Sequence, residues 1–145
     1  MRCVMQRVTR ATVHVGEELV SEIGRGMLVL AAVERKDDET TVHDAAKKIR
    51  ELRIFSDETG KMNRDVAESG GAILAVSQFT LAGSLARGRR PSFDAAAEPE
   101  RARELFERFV EELAATGIPV RTGRFRAMMR VGLENDGPVT FVYDI

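Results

Sequence analysis

At 145 residues, 43% hydrophobic and 31% charged, the chain is long enough for one folded domain with a sizeable core and short for two. A net charge of −1 is not the profile of a surface coated in positive charge, and no stretch approaches the roughly 20 apolar residues that cross a bilayer. Met1 to Arg7 carries arginines where a secretory signal needs its apolar region, and the single cysteine makes no internal disulfide, so a cytoplasmic protein with one domain over 1–145 is expected.

From Arg2 to Val33 the pattern is strand-like. Thr12-Val13-His14-Val15 alternates, with the two valines on one face and His14 on the other. Gly24-Arg25-Gly26 reads as a turn before the apolar run Met27 to Val33, a buried strand. Asp37 or Asp38 caps a helix whose stripe is Val42, Ala45, Ala46, Ile49 and Leu52, with His43 toward its edge. Arg53-Ile54-Phe55 follows as a short strand and Asp57 to Gly60 as a turn. Ala72 to Val76 is an apolar strand that runs into Ser77-Gln78-Phe79-Thr80. A second helix begins at Pro99, repeats Ala102, Leu105, Phe106, Phe109, Val110 and Leu113, and closes at Gly117. Two strands are then expected, Arg124 to Leu133 and Val139 to Tyr143, joined by a turn at Asn135-Asp136-Gly137-Pro138. Many strands with two helices out of strict alternation predict an α+β fold.

Ordinary catalytic machinery is missing. Cys3 stands among Val4 and Met5 and reads as a small core residue. His14 and His43 have no metal-ligand spacing with each other or with the cysteine, and no HExxH or CxxC occurs. Neither a phosphate-binding glycine loop nor a GxSxG elbow is present. Arg87, Arg89 and Arg90 form one basic cluster, and Arg121, Arg124, Arg126 and Arg130 another. Either is a phosphate contact or a solvated face. An enzyme built from these residues relies on backbone donors, hydroxyls and substrate groups rather than on a strong side-chain base.

Two segments narrow the choice. Ser77-Gln78-Phe79-Thr80-Leu81 ends the buried strand, and by itself reads as a strand terminus with Phe79 in the core. Asn135-Asp136-Gly137-Pro138-Val139-Thr140 by itself reads as a turn. Together, in this order, they resemble the D-aminoacyl-tRNA deacylase family, which pairs an SQFTL-type motif with an N-x-G-P-x-T motif near the C-terminus. The resemblance also covers Gln6-Arg7-Val8, Gly60-Lys61-Met62-Asn63, Arg90-Pro91-Ser92-Phe93 and Thr122-Gly123-x-Phe125, and so runs nearly end to end.

The resemblance implies a compact β-rich domain, close to a barrel or sandwich, with two helices packed on one side. It also implies a homodimer whose active site lies at the subunit interface and uses no metal and no cofactor. The substrate is aminoacylated tRNA, whose ester to a D-amino acid is hydrolysed; glycyl-tRNA is a second substrate, because glycine offers no side chain to reject. Gln78, Phe79 and Thr80 are the implied catalytic segment, holding the ester with backbone amides near its carbonyl oxygen, and Ser77, Gly137 and Pro138 contact substrate. Gly137-Pro138 is implied to be cis and to reach the partner's pocket, where it excludes L side chains. No adjacent base is evident to activate Thr80, which favours the 2′-OH of the terminal adenosine as the group that positions water. Arg87, Arg89, Arg90 and Arg126 are candidate tRNA contacts. Arg126 and Met128 depart from the family pattern, which has a small residue and then an acidic one at these positions. Two other readings remain: a related group that edits L-alanine from mischarged tRNA, and an RNA-binding dimer without catalysis. Phe79 within SQFT favours the D-specific group.

Overall fold

The computed structural model describes every residue from Met1 to Ile145. Its spine is β1 (Arg2–Val15), and both edges of β1 are occupied. Along one edge it pairs antiparallel with β3 (Gly26–Ala32) and, further on, with β2 (Glu18–Ile23). The other edge carries β8 (Arg130–Asp144). Beyond β3 the sheet continues in parallel through β6 (Ala72–Ser77) and β7 (Val120–Thr122). β2 also touches β6 and β7, so the sheet curls into a nearly closed barrel.

Parallel neighbours require long crossovers, and each of these carries a helix. α1 (Glu39–Arg50) lies between β3 and β6, followed by a hairpin of β4 (Phe55–Ser56) and β5 (Met62–Arg64). α2 (Pro99–Ala114) lies between β6 and β7. Both bury their apolar stripes on the same face of the sheet. Val42, Ala45, Ile49, Leu105, Phe109 and Leu113 share one core with Met27, Val29, Ala31, Ile73 and Ala75. The residues between them on the strands, Leu28, Leu74 and Val76, point the opposite way into a second core with Val8, Val13 and Ile23. Strand alternation thus builds two cores from one sheet, and the helices cover only one of them. The β-rich α+β fold with two helices on one side is as expected, and no helix is long and apolar enough to cross a membrane.

Local details sharpen several expectations. Of the two candidate caps, Asp38 fills the role, its Oδ1 accepting from the Thr41 amide at 2.8 Å. Asp37 turns inward instead and accepts from the Met1 ammonium at 2.6 Å and the Glu34 amide at 2.7 Å. Leu52 packs on the core from beyond the end of α1. The short strand is Phe55–Ser56, one residue or two later than Arg53-Ile54-Phe55, because its partner β5 sets the register across the Asp57 turn.

The C-terminal region differs more. Residues 124–129 form a loop, and β8 begins at Arg130. Asn135 to Pro138 is not a turn between two strands, since both flanks pair with the same strand in the same direction. Gln6 faces Thr140 and Val8 faces Asn135, so Asp136 to Val139 stand opposite Arg7 alone. The segment is an extrusion from one continuous strand, a large relative of the β-bulge. Period-two reasoning read its flanks correctly and missed that one partner strand joins them.

Candidate active site

β6 is buried on both faces, lying between β3 and β7, and its last residue is Ser77. The Gln78 amide donates to the Ala31 carbonyl at 2.9 Å, which keeps the chain on the sheet for one more residue. A single 3-10 turn, Phe79–Ala82, then breaks the alternation. The first amides of such a turn have no partner within it and are available to a ligand oxygen.

That turn forms one wall of a cavity of about 610 Å³. Ser77, Gln78, Phe79 and Thr80 line it, together with Phe125 and Arg126 from the loop before β8. The structure therefore brings Ser77 to Thr80 of the first motif and Arg126 to one place. Phe79 is not in the core: the residue is 56% exposed, and its ring centre lies 5.1 Å from that of Phe93, tilted by 59°. The 3-10 turn rotates it off the core face and into the cavity mouth. The Gln78 side-chain amide donates to the Thr80 hydroxyl oxygen, fixing the rotamers of both.

Among the lining residues Arg126 alone carries a charge, and no histidine or carboxylate stands beside Thr80. Nothing in the cavity takes a proton from the Thr80 hydroxyl, so the arrangement suits catalysis by positioning and backbone donation. His43 is remote, its Nδ1 3.1 Å from Glu112 on the outer side of the helices. His14 lines a separate shallow groove with Arg10 and Glu134. Cys3 is fully buried, and desolvation pushes its thiol from the ordinary 9.0 up to about 12, which keeps it protonated and unreactive. No group of three or more His, Cys, Asp or Glu is placed to hold a metal ion.

Gly137 and Pro138 do not line this cavity. Both are exposed on the extrusion, and the peptide bond between them is cis. The extrusion is held from below. Arg7 donates through Nε to the Asp136 carbonyl at 3.0 Å and through Nη1 to the Ile54 carbonyl at 2.6 Å. The Asn135 Oδ1 accepts from the Val139 amide at 2.9 Å, and its Nδ2 donates to the Thr140 hydroxyl at 2.9 Å. Gly137 has a φ of +135°, and a Cβ there would come within 2.7 Å of Val139. No other residue fits that backbone without strain. Arg7 belongs to a segment already singled out, yet its anchoring role was missed, because it spans more than a hundred residues of sequence.

The basic clusters fare unequally. Arg87, Arg89 and Arg90 are exposed on a loop whose ends are tied by reciprocal Ser84–Ser92 backbone bonds of 2.7 and 3.0 Å, and none has a carboxylate partner. In the second cluster Arg124 grips both Glu18 oxygens at 2.9 and 3.0 Å, and Arg130 donates to the Gly16 carbonyl. Only Arg126 of that group reaches the cavity. Met129 was also missed: Phe125, Ala127, Met129 and Val131 are all half-buried between exposed neighbours, but the apolar Met128 at an exposed position masks that alternation in the sequence.

Comparison with known proteins places the whole chain in one family. The family model described as D-Tyr-tRNA(Tyr) deacylase matches residues 4–144. A D-aminoacyl-tRNA deacylase of Symbiobacterium thermophilum is 57% identical over 144 residues, covering 99% of this chain and 95% of that protein. One from Desulforudis audaxviator is 55% identical, covering 99% and 97%. The solved structure of the c-Myc DNA unwinding element binding protein superposes with a TM-score of 0.95 at 40% identity, over 100% of this chain and 99% of that one. With a model match over nearly its full length and relatives above half identity, the chain belongs to the D-Tyr-tRNA(Tyr) deacylase family.

Proposed function

We propose that the chain, acting as a single domain, hydrolyses the ester between a D-amino acid and the 3′ end of tRNA. The observation that carries this reading is the cavity beside Ser77–Thr80, whose lining is largely apolar and contains no side-chain base or nucleophile-activating pair. An activated ester is a substrate such a site can handle. The amides of the Phe79–Thr80 turn stabilise the carbonyl oxygen as charge develops on it. Water, positioned by the adenosine 2′-OH, attacks the carbonyl carbon. The bond to the ribose oxygen breaks, and tRNA leaves with its hydroxyl restored while the D-amino acid departs. No cofactor takes part.

Gly137 and Pro138 serve this reaction from a second copy of the chain. They are exposed and stand outside their own chain's cavity, which supports a role in the cavity of a second copy. Leu133, Phe141 and Val142 on the same strand are 40%, 41% and 66% exposed, and a dimer gives them cover. In the partner's site the pair fills the space an L side chain needs, which discriminates by exclusion and admits glycine. Arg87, Arg89, Arg90 and Arg126 meet tRNA phosphates, and the setting is the cytoplasm, where charged tRNA is found.

The deciding experiment compares release of tyrosine from D-tyrosyl-tRNA and L-tyrosyl-tRNA by the purified protein. The D ester is expected to turn over and the L ester to persist. Equal rates would remove the chiral assignment, and hydrolysis of neither would remove the enzyme.

A further inference from the structure

The cavity is walled largely by apolar side chains, with the polar Ser77, Gln78 and Thr80 on one side and Arg126 its one charged residue. Arg126 sits at a left-handed φ of +61°, an uncommon conformation for a side chain of this size, and forms no salt bridge or hydrogen bond within the chain. On the facing helix, Ala102 lines the cavity and the next residue, Arg103, places its guanidinium 5.2 Å from the centre of the Phe125 ring. Phe125 itself lines the cavity, and Arg126 follows it directly in the chain.

The other arginines of α2 give the contrast. Arg101 pairs with Glu39 and Glu104, and Arg108 with Glu111 and Glu112. Arg103 has no carboxylate, and its only recorded contact of this kind is the aromatic face of Phe125. Stacking on a ring orients a guanidinium while leaving its N–H groups free for a planar anion. Two cations without counter-ions therefore adjoin one aromatic lining residue of the cavity, Arg126 beside it in the chain and Arg103 over its ring.

The geometry points to a two-arginine phosphate clamp, in which Arg103 and Arg126 hold the phosphodiester that precedes the terminal adenosine of the tRNA. This rests on the deacylase reading, since that substrate enters the cavity by its 3′ end. A nucleoside satisfies the apolar walls, and the first phosphate behind it leaves past Phe125, the lining residue that Arg126 follows in the chain and against whose ring Arg103 lies. Arg103 is thereby a substrate-binding residue that the basic clusters of the sequence do not include.

The test uses Arg103→Gln, Arg126→Gln and the double variant, with Arg108→Gln as a control on the same helix. Both clamp positions are exposed, and glutamine keeps the helix propensity at 103. Binding of the trinucleotide CCA is measured by fluorescence titration across a salt series, and hydrolysis is measured on D-tyrosyl-tRNA beside the phosphate-free ester D-tyrosyl-adenosine. Each clamp substitution should weaken CCA binding about two- to fivefold, the range of one exposed ion pair. The double variant should also reduce the slope of log K against log salt by about 0.7, the single-strand value for the one phosphate both arginines hold, with each single variant losing part of it. The ratio of kcat/KM for the tRNA ester over the adenosine ester should fall in step, through KM, while Arg108→Gln leaves the salt slope unaltered. CCA affinity and slope that ignore both arginines would overturn the clamp, and so would equal losses on the two esters. A parent protein inactive on both esters whose CCA binding still depends on Arg103 and Arg126 would retain the clamp and remove the deacylase assignment.

Discussion

The two motifs of this chain are held by opposite means. Ser77–Thr80 ends a strand packed on both faces, with Ile73, Leu74, Ala75 and Val76 all essentially buried, so its position derives from the hydrophobic core. Asn135–Thr140 stands out from an edge strand, and its position derives from polar contacts: the Arg7 fork, the Asn135 side chain and the Thr140 hydroxyl. Core packing is spread over many weak contacts and degrades gradually. A polar scaffold is concentrated in a few atoms and fails when one side chain goes. The first motif should therefore be lost only with the fold, whereas the second should be separable from it.

The largest effect is expected from Ile73→Ala, which empties space beneath the strand carrying the first motif. A large-to-small change at a fully buried site costs about 2–5 kcal/mol, read as a lower urea midpoint at unchanged slope. D-ester activity should fall in step with the folded fraction and L-ester hydrolysis should not appear, and a gain of L-ester hydrolysis in the folded protein would break the comparison. Arg7→Ala comes next. It removes charge-assisted bonds of about 1.5–3 kcal/mol in total effect, and its side chain is only 12% exposed. The expected signature is a reduced preference for D-tyrosyl-tRNA over L-tyrosyl-tRNA in a protein that still folds. Arg7→Lys should not restore it, because one ammonium does not reproduce a fork reaching two separate carbonyls. Full selectivity in Arg7→Ala would show that the extrusion is held by something else. The smallest effect is expected at Thr80→Ala, which removes one side-chain hydrogen bond with Gln78. A bond worth about 1 kcal/mol predicts a rate loss of less than about tenfold. Trapping of an aminoacyl group on Thr80 would replace positioning with nucleophilic catalysis.

These contrasts also mark where the sequence was legible. The stripe of α2, from Leu105 to Leu113, and the apolar run of β6 were readable because burial on a regular element imposes a period on neighbouring residues. The Asp136–Val139 extrusion was read as a turn, because Asn, Asp, Gly and Pro signal a local reversal whatever lies on either side. Its true character depends on β1, which pairs with both flanks. Phe79 was placed in the core by extending the strand period to the first residue of the 3-10 turn. Arg103 looked like any arginine on an exposed helical face, and only its approach to Phe125 separates it from Arg101 and Arg108.

By itself the sequence determined the elements, the two motifs and the family, all of which are written in local composition, spacing and order. The tertiary structure alone decided which groups meet: Arg7 beneath Asp136, Asp37 on the Met1 ammonium, Phe79 against Phe93, and Arg126 at the rim of a cavity with no other charge. The reason is physical. Periodicity reports which face of an element is buried, but the partner across that face comes from a distant part of the chain. The residues of β1 that face the second core shift from Val8 to Ala11 and Val13 because a bulge at Thr9 interrupts the pairing with β8, a partner from the far end of the chain.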